Sequence, residues 1–236
     1  MNSLIIGMGQ IGQAVKELIS PYNHVETYDI ATQNHHAPAH TDVMHICFPY
    51  SETFVKDVQD YITRYEPLFV VVYSTVPIGT CRAIGPSVVH SPVEGRHPRL
   101  IEGILSMPRW LGYQEAATEN FFTEYFESCE LEVTAVDNPD YTEALKLLST
   151  AEYGINIAFA DYKQEVAKSI GMDYGLTKQW NEDYNRLYWR MVMPQFQKFR
   201  LDPPNGKIGG HCVVPNAELL DAQFPSDLLK LITRLQ

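Results

Sequence analysis

The sequence predicts an α/β fold: a doubly wound, mainly parallel sheet in the N-terminal part, followed by an all-α part that starts with a long connecting helix. Three observations predict this arrangement. Strand-like and helix-like segments alternate through the first half of the chain, a glycine-rich turn joins the first strand to the first helix, and strand signals end near residue 138. We therefore predict two domains, residues 1–138 and residues 139–236.

The first half contains six short apolar segments that are typical of buried parallel strands. They lie at residues 4–7, 25–29, 43–48, 68–73, 87–90 and 131–136. Between them, apolar residues recur at three- and four-residue steps, which predicts helices at residues 11–20, 52–65 and 114–129. The stretch 91–98 is predicted to be a loop. Alternation of this kind places helices on both faces of a parallel sheet.

The second half shows helical periodicity without strand signals. Apolar residues from 139 to about 170 keep one helical spacing, which predicts a single helix of about 30 residues, longer than most globular helices. Such a helix crosses between domains or forms a dimer seam. A second helix is predicted at 176–199, a Pro/Gly loop at 201–215, and two short helices at 216–222 and 226–235.

The composition is that of a folded protein, with 45% hydrophobic and 20% charged residues. A net charge of −11 disfavours nucleic acid as a partner, because phosphate binding needs clustered Lys and Arg. The longest apolar run, residues 68–73, is too short to span a membrane, and no signal peptide is predicted. Four cysteines without a CxxC pair favour reduced thiols, so we expect a cytoplasmic protein without a membrane partner.

A glycine-rich turn follows the first predicted strand and opens the first predicted helix. Residues 7–12 read Gly-Met-Gly-Gln-Ile-Gly, a GxGxxG pattern, and Asp29 follows at the end of the next strand. In the dinucleotide-binding fingerprint, the first glycine permits the tight turn, the second admits a pyrophosphate, and the third lets helix and strand pack closely. The helix N-terminus adds amides and partial positive charge. This context predicts a Rossmann domain that binds a dinucleotide.

Asp29 predicts NAD rather than NADP as the cofactor. Its carboxylate would accept hydrogen bonds from ribose hydroxyls and repel a 2′-phosphate, and residues 30–32 contain no cation to offset that repulsion. No metal is predicted, because His35, His36 and His40 have no Cys or Glu companion nearby. The residues predicted to contact the dinucleotide are Gly7, Gly9, Gln10, Ile11, Gly12, Asp29, Pro49, Ser74 and Thr75.

Five segments together carry a resemblance to a known family. They read HICFP at 45–49, STVPIGT at 74–80, SP at 91–92, EALKLL at 143–148 and GGHCVVP at 209–215. Their order and spacing resemble the UDP-glucose/GDP-mannose 6-dehydrogenase family from residue 4 to about residue 220, and the glycine–cysteine loop is the most specific piece. That family oxidises a nucleotide-sugar alcohol twice, to the carboxylate, with two molecules of NAD.

The resemblance implies roles for three residues. Cys212 would be the nucleophile that turns an aldehyde into a thiohemiacetal and then a thioester, which water hydrolyses. Lys146, on the long helix, would stabilise the oxyanion of each tetrahedral species. Thr75 would hold a water or a substrate hydroxyl. The resemblance also implies a homodimer through the long helix.

Three further candidates stand where the sequence departs from the family pattern. Thr150 stands where the family carries Asn, one helical turn after the lysine. Asn216 stands in place of an Asp four residues after the cysteine, and the family lysine before that position is absent. Glu94 follows Ser-Pro only after Val93 intervenes. The roles of these three residues are therefore open.

Three functions remain open at this point. Family members commonly end in a second α/β domain that holds the nucleotide, whereas the resemblance here covers only the NAD-binding and central helical domains. The leading hypothesis is an NAD-dependent dehydrogenase acting on a nucleotide sugar or a related sugar. The alternatives are a cysteine-independent dehydrogenase of the 6-phosphogluconate or 3-hydroxyacid type, and a non-catalytic or partner-dependent NAD-binding protein.

Overall fold

A computed structural model describes residues 1–31, 40–95, 99–204, 206–208 and 212–234. The chain divides into two compact units, Met1–Lys146 and Leu147–Gln236. The second unit therefore starts within the long helix. The predicted domain boundary at residue 138 stays a prediction. His35 and His36 lie outside the described residues.

The first unit contains a seven-stranded sheet. Its strands are β1 (Asn2–Ile6), β2 (His24–Tyr28), β3 (Val43–Ile46), β4 (Phe69–Val72), β5 (Val88–His90), β6 (Arg109–Gly112) and β7 (Val133–Val136). They lie in the order β2-β1-β3-β4-β5-β6-β7. All neighbouring strands pair in parallel except β5 and β6, which pair antiparallel. The predicted mainly parallel sheet is confirmed.

Helices cover both faces of this sheet, because apolar side chains of the strands point alternately to either side. One face, with Ile5 and Val71, packs against α1 (Gln10–Ile19), α4 (Leu100–Leu105) and α5 (Ala116–Ser128). The other face, with Leu4 and Val70, packs against α2 (Phe54–Tyr65) and α3 (Thr80–Ile84). The predicted doubly wound arrangement is therefore confirmed.

The sequence analysis did not predict three elements of this unit, namely two short helices and one strand. Helices α3 and α4 are only five and six residues long. Strand β6 has four residues, of which the first is Arg109 and the last is Gly112. Because Arg and Gly are atypical of buried strands, the local pattern did not reveal β6. Its antiparallel pairing rests on one register pair, His90 with Gly112.

A chain of buried polar side chains crosses the sheet. Ser3 Oγ lies 3.0 Å from the Tyr125 hydroxyl, which lies 3.1 Å from His45 Nε2. His45 Nδ1 lies 3.0 Å from the Tyr73 hydroxyl. Burial lowers the pKa of His45 to about 3, so the imidazole is neutral. The histidine that begins the HICFP segment therefore satisfies polar groups between one face of the sheet and α5.

The second unit contains helices only, among its described residues. Helix α6 (Pro139–Ser169) enters it from the first unit and is followed by α7 (Gly175–Arg190), a 3-10 turn (Pro194–Phe196), α8 (Val213–Gln223) and α9 (Asp227–Thr233). The 31-residue α6 confirms the predicted long helix. None of the helices that the structure describes combines the length and the apolar composition needed to cross a bilayer.

Two predicted boundaries in the second unit are wrong. The helix predicted at 176–199 ends at Arg190, because Pro194 disfavours helical continuation there. The loop predicted at 201–215 ends early, because α8 begins at Val213. Pro215 occupies the third position of α8, where its missing N–H has no intrahelical partner to lose.

Candidate active site

The three glycines of the turn after β1 differ in their surroundings. Gly7 adopts a φ of 92°, and a Cβ there would lie 2.8 Å from the Phe48 nitrogen. A Cβ on Gly12 would lie 1.9 Å from the Gly7 carbonyl oxygen, so helix and strand pack too closely for a side chain. A Cβ on Gly9 would meet nothing within 4 Å. The turn therefore keeps open space at Gly9, beside the N-terminus of α1 where Gln10 and Ile11 begin the helix.

Asp29 lies beside this turn, immediately after β2. Its carboxylate accepts hydrogen bonds from the backbone N–H of Met8 at 2.6 Å and of Ala31 at 2.8 Å. The Gly7 N–H donates to the Tyr28 carbonyl at 2.9 Å, which joins the turn to the end of β2. The structure thus brings the acidic residue and the glycine turn together at the carboxyl ends of neighbouring strands.

A cleft of about 730 Å³ opens at this edge of the sheet. Gly7, Asp29 and Pro49, all predicted to contact a dinucleotide, line it. Its volume lies within the range of small-molecule sites. The turn that is open at Gly9, the helix N-terminus and the carboxylate of Asp29 fit the phosphates and a ribose of a dinucleotide.

Helix α2 supplies four lining residues, Asp57, Asp60, Tyr61 and Arg64, which the sequence analysis did not assign to the cofactor site. The Arg64 guanidinium lies over the rings of Tyr28 and Tyr65, 5.7 and 5.1 Å from their centroids. The three- and four-residue spacing of these four lining residues places them on one helix face, and that signal could have found them. Among the described residues that line the cleft, Arg64 is the one cation.

Ser74 and Thr75 follow β4, next to the turn that contains Pro49. The Ser74 hydroxyl donates a hydrogen bond to the Phe48 carbonyl at 2.5 Å, and Nε2 of the buried His90 lies 3.2 Å from the Ser74 carbonyl. Ser74 therefore holds the backbone of two neighbouring loops together. Thr75 is half-buried beside it.

Lys146 meets Glu94 in the first unit. The Lys146 ammonium donates a hydrogen bond to the Val93 carbonyl at 2.7 Å and lies 3.2 Å from Glu94 Oε1. The Lys146 side chain is 16% exposed and that of Glu94 is 37% exposed. Although Val93 shifts Glu94 by one position from the family pattern, the structure places the glutamate against the lysine. The pair presents a cation and a carboxylate at a partly buried position, suited to stabilising charge and moving a proton.

Arg109 of β6 holds the backbone that positions this pair. Its guanidinium is buried and donates hydrogen bonds to the Ser91 carbonyl at 2.7 Å, to Ser91 Oγ at 2.8 Å and to the Pro92 carbonyl at 2.8 Å. Burial lowers the pKa of Arg109. Residues 91–92 thus have fixed positions, and Val93 and Glu94 follow directly. The sequence analysis missed Arg109, because its partners are carbonyl groups of a loop distant in sequence.

Glu143, the first residue of the EALKLL segment, caps helix α3. Its fully buried carboxylate accepts hydrogen bonds from the backbone N–H of Gly79 at 2.6 Å and of Cys81 at 2.8 Å. Nearby, Arg82 and Asp140 form an ion pair at 2.7 Å. Burial raises the pKa of Glu143 to about 7, although the two N–H donors act in the opposite direction. Glu143 thereby fixes the end of the STVPIGT segment against α6.

This raised pKa predicts a pH-dependent stability. The folded-state pKa of about 7 exceeds the ordinary value of 4.5, because the folded protein favours the protonated form of Glu143. The stability that this preference contributes is fully present below about pH 4.5, and it is lost as the pH rises through about 7. Relative to a Glu143→Gln variant, the wild type is expected to lose about 2 kcal/mol of unfolding free energy between about pH 5 and about pH 8. Urea unfolding of both proteins at each pH measures the difference between their unfolding free energies. The titration of the buried histidines contributes equally to both proteins and cancels in this difference. An unchanged difference across this range would contradict the assignment.

The second unit contains the remaining predicted catalytic residues. Cys212 is exposed and is the residue before α8. Asn216, in the first turns of α8, has its Nδ2 3.5 Å from Thr150 Oγ1 on α6. The structure therefore brings two of the three open candidates, Thr150 and Asn216, into contact. The predicted loop residues Gly209, Gly210 and His211 lie outside the described residues.

No protein-family profile matches the chain, and no curated protein matches it in sequence. Solved structures do match along almost the whole chain. The UDP-D-ManNAc dehydrogenase of Pyrococcus horikoshii matches 100% of this chain and 68% of its own, with 16% identity and a TM-score of 0.80. The UDP-glucose dehydrogenase of Pyrobaculum islandicum matches 99% of this chain and 67% of its own, with 16% identity and a TM-score of 0.72.

The chain has the fold of these nucleotide-sugar dehydrogenases. The resemblance predicted from the five segments is confirmed at the level of the fold. A 3-hydroxyisobutyrate dehydrogenase of Mycobacterium tuberculosis shares this fold too, over 99% of this chain and 92% of its own, with 13% identity and a TM-score of 0.69. The shared fold thus includes dehydrogenases of two substrate classes.

The four cysteines differ in accessibility, and this difference predicts selective alkylation. Cys47, Cys81 and Cys129 are buried, and burial raises the pKa of each of these thiols, whereas Cys212 is exposed. Iodoacetamide under native conditions is therefore expected to modify Cys212 and leave the other three unmodified. Peptide mass spectrometry measures the pattern, and a Cys212→Ser variant serves as the control. Equal modification of a buried cysteine would contradict this accessibility pattern.

Proposed function

We propose that the chain is an NAD-dependent oxidoreductase that acts on the CH–OH group of a nucleotide sugar or a related sugar. The observation that carries the proposal is the glycine turn. Gly7 and Gly12 are too closely packed for a side chain, and Gly9 alone faces open space. This asymmetry is what a backbone cradle for a diphosphate requires. Whole-chain similarity to the fold of nucleotide-sugar dehydrogenases supports the same conclusion.

The residues around the cleft favour NAD over NADP. The backbone at Gly9 and the first turn of α1, with Gln10 and Ile11, would cradle the diphosphate. Asp29 would receive ribose hydroxyls on its carboxylate oxygens, which also accept from the Met8 and Ala31 N–H groups. Among the residues that the structure describes, three carboxylates against one guanidinium line the cleft, which disfavours a 2′-phosphate. When bound, NAD supplies the hydride acceptor that the side chains of this chain lack.

The Lys146–Glu94 pair would carry the acid–base part of the reaction. Lys146 would donate a hydrogen bond to the substrate oxygen as negative charge develops on it. Glu94 would accept the hydroxyl proton, directly or through a water held by Thr75. The two groups lie 3.2 Å apart, close enough for both to reach one substrate hydroxyl.

Cys212 would carry the second oxidation. Its thiolate would attack the aldehyde carbon and form a C–S bond, and the carbonyl electron pair would move to oxygen to give a thiohemiacetal. Loss of the hydroxyl proton and of a hydride to a second molecule of NAD would convert this adduct into a thioester, and water would then cleave the C–S bond, releasing a carboxylate and the thiolate. Thr150 and Asn216 are not bases, so their contact serves to position groups rather than to accept a proton.

We also propose a homodimer formed through the long helix. Large apolar side chains on α6 and α7 are exposed, among them Leu148 at 54%, Tyr162 at 59%, Trp180 at 70% and Trp189 at 70%. Exposed apolar surface on this scale is typical of a protein–protein interface. Light scattering measures the molar mass in solution: twice the 26.9 kDa of one chain supports the dimer, and 26.9 kDa contradicts it.

A second candidate function is a cysteine-independent dehydrogenase of a 3-hydroxyacid. It is favoured by the extent of the structural match, which includes 92% of the 3-hydroxyisobutyrate dehydrogenase chain but only 68% of the UDP-D-ManNAc dehydrogenase chain. In that reaction Lys146 would act alone on the alcohol, and Cys212 would have no role.

The deciding experiment is a substrate panel followed by NADH absorbance. UDP- and GDP-sugars, 6-phosphogluconate and 3-hydroxyisobutyrate are supplied to the wild type and to Lys146→Met and Cys212→Ser variants. The proposal expects turnover of a sugar substrate that Lys146→Met abolishes and that Cys212→Ser stops at the aldehyde. Turnover of a hydroxyacid that is unaffected by Cys212→Ser establishes the second candidate. Saturable NAD binding without any turnover contradicts both and indicates a non-catalytic NAD-binding protein.

A further inference from the structure

A second cavity lies entirely within the helical unit and has no role in the proposed reaction. Its volume is about 490 Å³, and α6, α7 and the segment 197–201 line it. Four cations line it, namely Lys163, Lys178, Lys198 and Arg200, against one carboxylate, that of Glu152. This excess is local, because the chain as a whole carries a net charge of −11.

Side chains of α7 and of Tyr174, the residue before it, hold the cation-bearing segment in place. Asn185 donates to the Lys198 carbonyl at 2.8 Å and accepts from the Lys198 N–H at 2.7 Å. Asn181, which is buried, donates to the Phe199 carbonyl at 2.9 Å. The Tyr174 hydroxyl donates to the Leu201 carbonyl at 2.9 Å. Four backbone groups of residues 198–201 are therefore bound by side chains, so the segment presents its cations from a fixed backbone.

Two of the four cations are neutralised by neighbouring carboxylates. Lys178 pairs with Asp202 at 2.6 Å, and Arg200 pairs with Glu182 at 3.2 Å. These pairs leave Lys163 and Lys198, against the one lining carboxylate of Glu152, as the source of the cavity's excess positive charge.

Lys163 and Lys198 rest against aromatic rings instead. The Lys163 ammonium lies 4.8 Å from the Phe159 ring centroid, and the Lys198 ammonium lies 3.6 Å from that of Tyr184. Neither forms an ion pair with any residue in the part of the chain that the structure describes. Desolvation and the charge of Lys198 lower the pKa of Lys163, which indicates that the two ammonium groups repel each other. An anion between them would relieve that repulsion.

We propose that this cavity binds a phosphate-bearing small molecule, with Lys163 and Lys198 as its principal contacts. Lysine binds phosphate as a point charge and needs no planar partner. The volume of about 490 Å³ exceeds the needs of one phosphate group and accommodates a diphosphate with an attached organic group. Asn156 on α6 and Thr177 on α7 also line the cavity and offer polar side chains to that group. The inference does not depend on the proposed function.

The test is calorimetric titration of the full chain with inorganic pyrophosphate at low ionic strength. A Lys163→Met/Lys198→Met double variant is expected to bind pyrophosphate at least about tenfold more weakly than the wild type, because two charges leave the site. Lys168→Met removes one exposed charge from the same helix outside the cavity and is expected to bind within about twofold of the wild type. A charge-preserving Lys163→Arg/Lys198→Arg variant is expected to retain most of the affinity.

Two further measurements keep the result unambiguous. Thermal unfolding checks that the double variant folds, and added pyrophosphate is expected to raise the Tm of the wild type but not that of the double variant. Titration with UDP separates the sources of the phosphate group: tighter binding than pyrophosphate indicates a nucleotide, and equal binding indicates a free anion. Equal pyrophosphate affinity in the wild type and the double variant would overturn the inference, and so would the absence of saturable binding. Both titrations are carried out with saturating NADH, which occupies the diphosphate cradle proposed at Gly9, so that the outcome reports on the helical cavity alone.

Discussion

Replacing Arg109 with methionine is expected to lower the free energy of unfolding by about 3 kcal/mol. The change removes the three hydrogen bonds to the Ser91 carbonyl, Ser91 Oγ and the Pro92 carbonyl, all buried. Each acceptor left without a donor costs about 1–3 kcal/mol, and the removal of a buried charge offsets part of that loss. Urea unfolding followed by circular dichroism measures the effect.

The same substitution is expected to act on the candidate catalytic pair. When residues 91–92 lose their anchor, the Val93 carbonyl and Glu94 no longer hold the Lys146 ammonium at 2.7 and 3.2 Å. Under the proposed function, kcat is expected to fall about tenfold or more with a smaller change in KM, because the disturbed interactions act on the developing charge.

An exposed arginine provides the matched control for this prediction. Arg99 has a side chain that is 75% exposed and pairs only with Glu102 among the described residues. Arg99→Met is expected to change the free energy of unfolding by less than about 0.5 kcal/mol. Arg109→Lys, which keeps the charge but not the planar fork, is expected to lie between the two. Equal effects of Arg109→Met and Arg99→Met would show that Arg109 does not anchor the loop.

The fold was predictable because its signals are local. Strand β1, the glycine turn and helix α1 follow one another within the first 19 residues, and each has its own apolar period or glycine spacing. The long helix α6 was equally clear, since its apolar positions keep one period across 31 residues. Strand β6 was not predictable, because Arg109 occupies a buried strand position for the sake of a loop distant in sequence.

The candidate site was predictable where its residues belong to a motif. The structure brings the glycine turn and Asp29 together, whereas the contact of Lys146 with Glu94 was not predicted, because the spacing after Ser-Pro differs from the family pattern. Supporting residues gave no local signal. Glu143 is an ordinary helix glutamate in sequence, and only the fold shows that its carboxylate binds the N-terminus of α3. Such contacts depend on which loops the topology brings together.

Gly12→Ala is expected to destabilise the fold strongly, whereas Gly9→Ala is expected to leave its stability nearly unchanged. At Gly12 the new Cβ would lie 1.9 Å from the carbonyl oxygen and 3.0 Å from the carbonyl carbon of Gly7, which are backbone atoms that cannot give way easily. Gly12→Ala is therefore expected to lower the free energy of unfolding by about 3 kcal/mol, despite the better helix propensity of alanine. At Gly9 the Cβ meets nothing within 4 Å, so Gly9→Ala is expected to change stability by less than about 0.5 kcal/mol.

Gly9→Ala, which leaves the stability unchanged, is expected to weaken dinucleotide binding, because its methyl group enters the space reserved for the diphosphate. Its affinity for NADH is expected to fall at least about tenfold, which corresponds to about 1.4 kcal/mol, in a protein that remains folded. Fluorescence titration with NADH measures the affinity, and urea unfolding of the same preparations measures the stability. Wild-type NADH affinity in Gly9→Ala would place the diphosphate elsewhere, and wild-type stability in Gly12→Ala would contradict the close packing of helix α1 on strand β1. The two glycines thus separate the role of the turn in folding from its role in binding.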